Sequence, residues 1–551
     1  MRRRVMSMLA GVTLAASTLF SAGPAAADTP PPEFGTDWHD PVTAAPPVPK
    51  PHTKSCEVTV AEAQFKDFTP YKGDYAPPEK CGRGHWGKVV LRLDGKVKGR
   101  QYDRLGYLRM GGVEVFRTST PEPSEDGITW SVEKDVTRYS ETLSHDQQVE
   151  MLIGNVVNDT YTGIIDVRVT LTFYEPEQRA PASKPKPKPK PKPKPQTHTT
   201  PDRVIPLGDG STGTTLSTPR NSERIVAEVY ATGSGGGCEE YWYLTVPDAA
   251  PYSCKADKGP YREVQVKVDG KLAGIAAPFP TVWTGGWSNP FLWYVIPGPR
   301  AFDIKPIEYD LTPFTGTLND GRPHRVEVSV VGVPKAQTGW STPVNVLVWQ
   351  DEKSDRVTGR LTRHEEGDLA DKATYTPGSP TTEHRLDTEG GHRLGVSGYV
   401  NTSHGRVTTT VDRALTNTSV HRWTEGEAMD ALKAAWTDRE TVTTGGRSVR
   451  TDRTYTMDGT TTLGAGDRLR TEISLGDRAE SVTKRGDRRT NWSVLDDRYD
   501  GDATYTANVP RDQRHAVGTS RERYRLIGDA GCHDRTLATA QGTLTEDRLR
   551  C

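Results

Sequence analysis

The chain has 551 residues, enough for three or four domains, is 34% hydrophobic and carries a formal net charge of −1. So neutral a balance leaves no global field for nucleic acid or an anionic membrane surface, and no basic stripe interleaved with aromatics offers single strands a platform. Past residue 20 no apolar run approaches the length of a transmembrane helix, so neither nucleic acid nor a membrane is expected as a partner.

Arg2-Arg3-Arg4 form a basic start, residues 5–20 a short apolar run, and Ala25-Ala26-Ala27 a small-residue cleavage site. Residues 1–27 therefore have the pattern of a secretory signal, with a twin-arginine route also open, and the mature protein is expected to be secreted and extracellular. Residues 28–54, rich in Pro, Thr and Ala, read as an extended leader. A first β-domain follows over 55–178. Val89-Val90-Leu91 open a strand, Asp94-Gly95 has the composition of a turn, and Gly111-Gly112 that of a two-residue hairpin. That hairpin sets Asp103 opposite Ser119-Thr120. Ile165, Val167, Val169, Leu171 and Phe173 alternate as the inward face of a later strand.

Residues 179–199 contain a Lys-Pro repeat from 184 to 195. Proline at alternate positions removes ladder donors and fixes an extended polyproline conformation, which the lysines lengthen by repulsion. A plain spacer is the simpler reading; contact with an anionic cell wall is the functional one. A second β-domain is expected over 200–352, with hairpins at Asp269-Gly270 and Asp320-Gly321. Two eight-stranded jelly-roll sandwiches side by side would satisfy both patterns, although periodicity alone supports only an all-β sandwich or barrel.

Residues 353–551 form a β-rich region with weak alternation, in which Leu469, Thr471, Ile473 and Leu475 face in and Arg468, Arg470, Glu472 and Ser474 face out. Asp458-Gly459 and Asp500-Gly501 suggest hairpins, and residues 425–436 a helix capped by Thr424 and Glu427. No role follows for this region. The six cysteines, Cys56, Cys81, Cys238, Cys254, Cys532 and Cys551, fall as three local pairs. Nearest-neighbour disulfides suit an exported chain, and without CxxC or clustered His no metal site is expected.

Several long motifs carry a resemblance. GRQYDR around Asp103, GGVEVFRTSTPEP, ITWSVEKDVTRYS, VNDTYTG, YREVQVKVDGK, PFPTVWTGG and YDLTPF are similar to the signature of the peptide-N-glycosidase A family. It continues more weakly through SGYVNTSHGRVTTT. These amidases cut the link between sugar and asparagine in N-glycoproteins. The resemblance implies a jelly-roll pair, N-glycosylated peptides or proteins as partners, and no metal or organic cofactor.

Hydrolysing an unactivated amide needs a base for water, an acid for the departing nitrogen, and donors for the oxyanion. On spacing alone Asp103 is an ordinary charged strand end. Asp103-Arg104 matches, however, the Asp-Arg pair of the related peptide-N-glycosidase F enzymes, whose Asp is catalytic, and the resemblance makes Asp103 the principal acid–base residue. Gly237-Cys238-Glu239-Glu240-Tyr241-Trp242 resembles the stretch holding a second functional Glu there. Glu240 takes that role, or Glu239 if the register slips by one. The third acidic residue of those enzymes aligns with Gly154 or Asn155, neither acidic; Glu114, Glu122 and Asp159 are substitutes between which no spacing chooses.

For sugar binding, Trp283 and Trp287 in a Gly- and Pro-rich loop offer flat faces, and Trp293 divides evenly between ligand and core. Arg104, Arg117, Asn155 and Arg262 are the polar candidates for substrate binding, with Glu263 beside Arg262 and the site expected at a domain interface. A non-catalytic glycan-binding or wall-associated protein on the same scaffold is the alternative, since fold does not decide function. No GxSxG elbow, HExxH helix or phosphate-binding glycine loop occurs.

Overall fold

A computed structural model describes residues 40–82, 84–123, 126–177, 200–210, 213–233, 238–278, 289–292, 294–333, 339–506, 509–510, 513–529 and 531–551. The expected signal, residues 28–39 of the leader, the Lys-Pro repeat, and Trp283, Trp287 and Trp293 lie outside them.

The chain is all-β. The first sandwich packs the sheet Ser55–Phe65, Ile165–Tyr174, Lys88–Val97, Ile128–Asp135 on the sheet Tyr71–Tyr75, Gln147–Ile153, Gly106–Met110, Val113–Thr118, each in hydrogen-bonded order. Alternation fills the space between them. Val89, Leu91, Leu93, Val167, Val169, Leu171 and Phe173 from one sheet meet Leu108, Met110, Val149, Met151 and Ile153 from the other. Gly111 and Gly112 turn the expected hairpin with φ of 56° and 86°, values that glycine adopts without strain.

The second sandwich has the same plan. Thr214–Leu216, His324–Val331, Glu263–Val268 and Lys271–Ala276 face Ile307–Asp310, Ser222–Val229, Pro343–Gln350 and Arg203–Asp209. The Asp269-Gly270 hairpin forms as expected, while Asp320-Gly321 turns the chain from a short helix into a strand. The two sandwiches meet across Val113–Thr118, buried along its whole length. Asn345 Nδ2 donates to Glu114 O at 2.9 Å, and Tyr139 hydroxyl to Glu228 Oε2 at 2.7 Å across that seam.

Among the described residues the carboxyl-terminal part is one antiparallel sheet of eleven strands, running from Thr358–Glu366 at one edge to Thr543–Leu549 at the other, with strands up to 19 residues long. Leu469, Thr471 and Leu475 face the protein and Arg470, Glu472 and Ser474 face solvent, as the alternation predicts. Three local expectations fail here. Residues 425–436 are not a helix: a single 3-10 turn precedes the strand Met429–Thr444, whose Asp430, Leu432, Ala434, Trp436 and Asp438 are buried at period two. Asp458-Gly459 and Asp500-Gly501 sit inside the strands Arg447–Leu463 and Arg488–Tyr505. At Gly501 the absent side chain makes room for a neighbouring segment, since a Cβ would lie 2.7 Å from Leu292 and 2.9 Å from Ile296. The same reason removes the Asp94-Gly95 turn from the first sandwich: Gly95 lies within Lys88–Val97 beneath the indole of Trp130.

The cysteines pair as expected, Cys56–Cys81, Cys238–Cys254 and Cys532–Cys551, with Cα separations of 6.0, 5.4 and 5.7 Å.

Candidate active site

Asp103 precedes the strand Gly106–Met110 in the first sandwich, and Glu240 lies in the 3-10 segment Cys238–Leu244 of the second. The fold brings them into one electrostatic field although 137 residues separate them in sequence (240 − 103). Burial pushes the Asp103 carboxyl up to about 6, against the Arg104 charge and the Ser119 hydroxyl that favour its ionised form. Burial, and then the charge of Asp103, push Glu240 up to about 7.

A third carboxylate completes the set. Glu122 is buried, accepts the Asp103 backbone N–H at 3.4 Å, and is held well above the usual carboxylate range by burial and by Asp103. Its Oε2 is buried with no hydrogen-bond partner among the described residues. Of the three substitutes weighed in the sequence, Glu122 is the one on which the charge of Asp103 acts. The signal was weak: Glu122 stands between prolines in Pro121-Glu122-Pro123, where the chain cannot continue a ladder and must leave the sheet.

The loop around Glu240 is fixed by its neighbour. Glu239 is 1% exposed and takes a two-pronged hydrogen bond from Arg262, Nε at 3.0 Å and Nη2 at 2.7 Å, while the Trp340 indole donates to it at 2.6 Å. Glu239 is thereby consumed in holding the loop. Glu240 stays partly exposed, and among the described residues no cation pairs with it.

Two of the polar candidates change role and one leaves the site entirely. Arg262, expected to touch substrate, is 2% exposed; Gly259 O and Tyr261 O, each at 2.9 Å, take the donors that Glu239 leaves. It positions the loop. Glu263 is likewise buried, bonded to Tyr261, Gln265 and His392. Arg117 is 2% exposed in the seam between sandwiches, where Glu114 Oε1 at 2.7 Å and Thr232 Oγ1 at 2.9 Å hold it. Asn155, fully buried, donates to Phe65 O and Gly163 O and accepts from Val156 N, which leaves nothing for a sugar hydroxyl. Polarity and spacing suggested these three; burial, which a single sequence hides, decides against them. Arg104 does stay at the site, its charge acting on Asp103 and Glu122 while its guanidinium binds Gln101 Oε1.

Aromatic rings pack around both acids. Tyr102 and Tyr161 lie with centroids 5.0 Å apart, and Tyr241, Trp242 and Tyr243 follow Glu240 directly. Among the described residues the one group with metal-ligand geometry is Glu223, Asp351 and His404, whose ligand atoms lie within 4.8 Å of one another. Asp351 there already accepts from Ser403 N, Ser403 Oγ and Lys353 N. That group serves as a clamp between the second sandwich and the long sheet.

The profile of the family described as Peptide N-acetyl-beta-D-glucosaminyl asparaginase amidase A matches residues 45–367. The chain belongs to this family. The match takes in both sandwiches and all three carboxylates, and stops at the first strand of the long sheet. A peptide-N4-(N-acetyl-beta-glucosaminyl)asparagine amidase A of Prunus dulcis is 30% identical over 386 residues, which is 66% of each chain. Among solved structures, a peptide-N(4)-(N-acetyl-beta-D-glucosaminyl) asparagine amidase aligns at 12% identity with a TM-score of 0.34, covering 54% of this chain and 96% of its own. The protein PNGF-II aligns at 13% identity with a TM-score of 0.36, covering 54% and 65%.

Proposed function

We propose that this member of the amidase A family is a secreted glycoamidase that hydrolyses the side-chain amide joining an N-glycan to asparagine in glycopeptides and glycoproteins. The observation that carries the reading is the electrostatic contact of Asp103 and Glu240, from two sandwiches, with burial raising both carboxyls, to about 6 and about 7. Two acids that share one field, the second raised further by the charge of the first, can divide general-base and general-acid work. Asp103, ionised first, takes a proton from water as its oxygen bonds to the amide carbon. Glu240, still protonated, delivers its proton to nitrogen as the C–N bond breaks. The products are an aspartate side chain and the glycosylamine. Burial and the charge of Asp103 favour the protonated form of Glu122 beside the pair.

Trp283 and Trp287 remain our candidates for stacking on the sugar rings, on the strength of their loop composition. Export rests on the basic, apolar and small-residue order of the first 27 residues. The Lys-Pro repeat we assign first to spacing and second to wall contact.

Incubating the protein with a glycopeptide in heavy-oxygen water tests the reaction. Asn converted to Asp carrying one heavy oxygen is the expected product by mass spectrometry. Intact glycopeptide across acid to neutral pH would make this a glycan-binding protein instead, and a sugar left on Asn would make it a glycosidase.

A further inference from the structure

Residues 368–551 lie outside the family match, yet the loop that presents Glu240 rests on them. The loop is closed by the Cys238–Cys254 disulfide and a bridge between Val246 and Lys255. Its far end meets the turn between the strands Gly405–Trp423 and Met429–Thr444 of the long sheet. Glu427 receives Ser253 N at 2.7 Å and Ser253 Oγ at 2.8 and 2.6 Å on its two oxygens. Tyr252 hydroxyl donates to Asp430 Oδ2, whose other oxygen lies 2.8 Å from His421 Nε2. The Trp423 indole donates to Pro251 O at 3.1 Å, and the Tyr252 ring stands edge-on to His421 and Trp423. Nearer Glu240, Trp242 packs edge-on to Trp436 with centroids 5.7 Å apart.

This turn is costly to build. Glu427 has φ of 60°, a left-handed conformation that a side chain with Cβ adopts only under strain. His421, Asp430, Glu427 and Tyr252 are all buried, and apolar packing in place of such a buried charged cluster is often as stable or more so. What the strained turn achieves is directional. It fixes both coordinates of a short rigid loop whose opposite end carries an acid.

We propose that Glu427, Asp430 and His421 of the long sheet are positioning residues of the active site, holding through Ser253 and Tyr252 the loop that aims Glu240 at the scissile nitrogen. The proposal rests on Glu240 as general acid. Tyr243 supports the connection, because Glu240 and Asp430 both act on its phenol and, after burial, hold it further above its ordinary range. The sheet is thus the third wall of the active site. It contributes geometry, and the two sandwiches contribute the chemistry.

Steady-state kinetics on the full chain test this, with glycopeptide as substrate and turnover counted per folded molecule. Tyr252→Phe, which removes one hydroxyl, should lower kcat about tenfold with KM changed less than about twofold, as a small misplacement of a catalytic group does. Glu427→Ala should lower kcat at least as much, and Glu427→Gln, which still accepts from Ser253, should restore most of it. Unchanged kcat in Tyr252→Phe, whatever its melting temperature, overturns the proposal; if Glu427→Ala does not fold, Tyr252→Phe still decides. Glu240→Gln separates the two readings. If it turns over at the parent rate, the assignment of Glu240 falls and the positioning role with it. If it is inactive while Tyr252→Phe keeps full kcat, only the positioning role falls.

Discussion

The two sandwiches and the long sheet are built from the same antiparallel strands with alternating side chains, yet they bury different things. In the sandwiches both sheets turn an apolar face inward, and Val, Leu, Ile and Phe fill the space. The long sheet has a dry face only where something rests on it: Leu432, Trp436, Tyr455, Leu475 and Tyr499 lie under Tyr102, Trp242, Tyr252, Phe291 and Leu292. Its other face is Thr, Arg and Asp in solvent. A sandwich is stabilised by its own interior. The sheet depends on what docks against it, and the docked groups include both flanks of the acid pair. The same contrast appears in two arginine–carboxylate forks of similar geometry. Both partners of Arg262–Glu239 are buried in the second sandwich, whereas in Arg523–Asp534 on the sheet, at 3.0 and 2.8 Å, the arginine is 33% exposed and only the carboxylate is buried.

Four measurements would break or sharpen this comparison. The largest effect belongs to the chemistry: Asp103→Asn should cut kcat by about a thousandfold or more, roughly 4 kcal/mol of barrier, with a melting temperature at or above the parent's because a raised carboxyl is removed. A variant that keeps full turnover would take Asp103 out of the mechanism. Next come the forks. Arg262→Leu strands a buried Glu239 and should destabilise by about 3–5 kcal/mol, while Arg523→Leu on the sheet should cost less than about 1 kcal/mol in denaturant titrations. Equal costs would mean that burial does not distinguish the two regions.

The third effect is one of pH on activity. Asp103 must be ionised and Glu240 protonated, so kcat/KM should rise through about 6 and fall through about 7, a narrow bell whose limbs belong to the pair. Glu240→Gln that retains the upper limb would remove Glu240 as its source. The smallest effect lies in the sheet. Glu522, buried beside Asp497 and Arg300, is held above the usual carboxylate range by burial and then by Asp497. Its folded value lies above its unfolded one, so the native state binds more protons and its stability is full at low pH and lost as pH rises toward the raised value. Glu522→Gln should therefore flatten the decline in melting temperature between about pH 5 and about pH 9, by an amount that stays below the cost of Arg262→Leu. A parallel, unflattened decline would assign the loss to other groups.

What the sequence alone determined is whatever depends on neighbours in the chain. Period-two alternation gave the strands at Ile165–Tyr174 and Leu469–Arg485, Gly-Gly and Asp269-Gly270 gave two hairpins, and cysteine spacing gave three disulfides. The motifs around Asp103 and Glu240 also named the two residues that the fold later brings together. Tertiary structure decided the rest, because it turns on which surfaces meet. Glycines at 95, 459 and 501 have the composition of turns but serve as gaps within strands, most plainly where Trp130 or Leu292 presses in. Arg117, Asn155 and Arg262 have the chemistry of ligands but are used up inside the fold. Glu122 joins the acid pair only in three dimensions, since a carboxylate's proton affinity is set by burial and by the charges facing it, and neither is written in the order of residues.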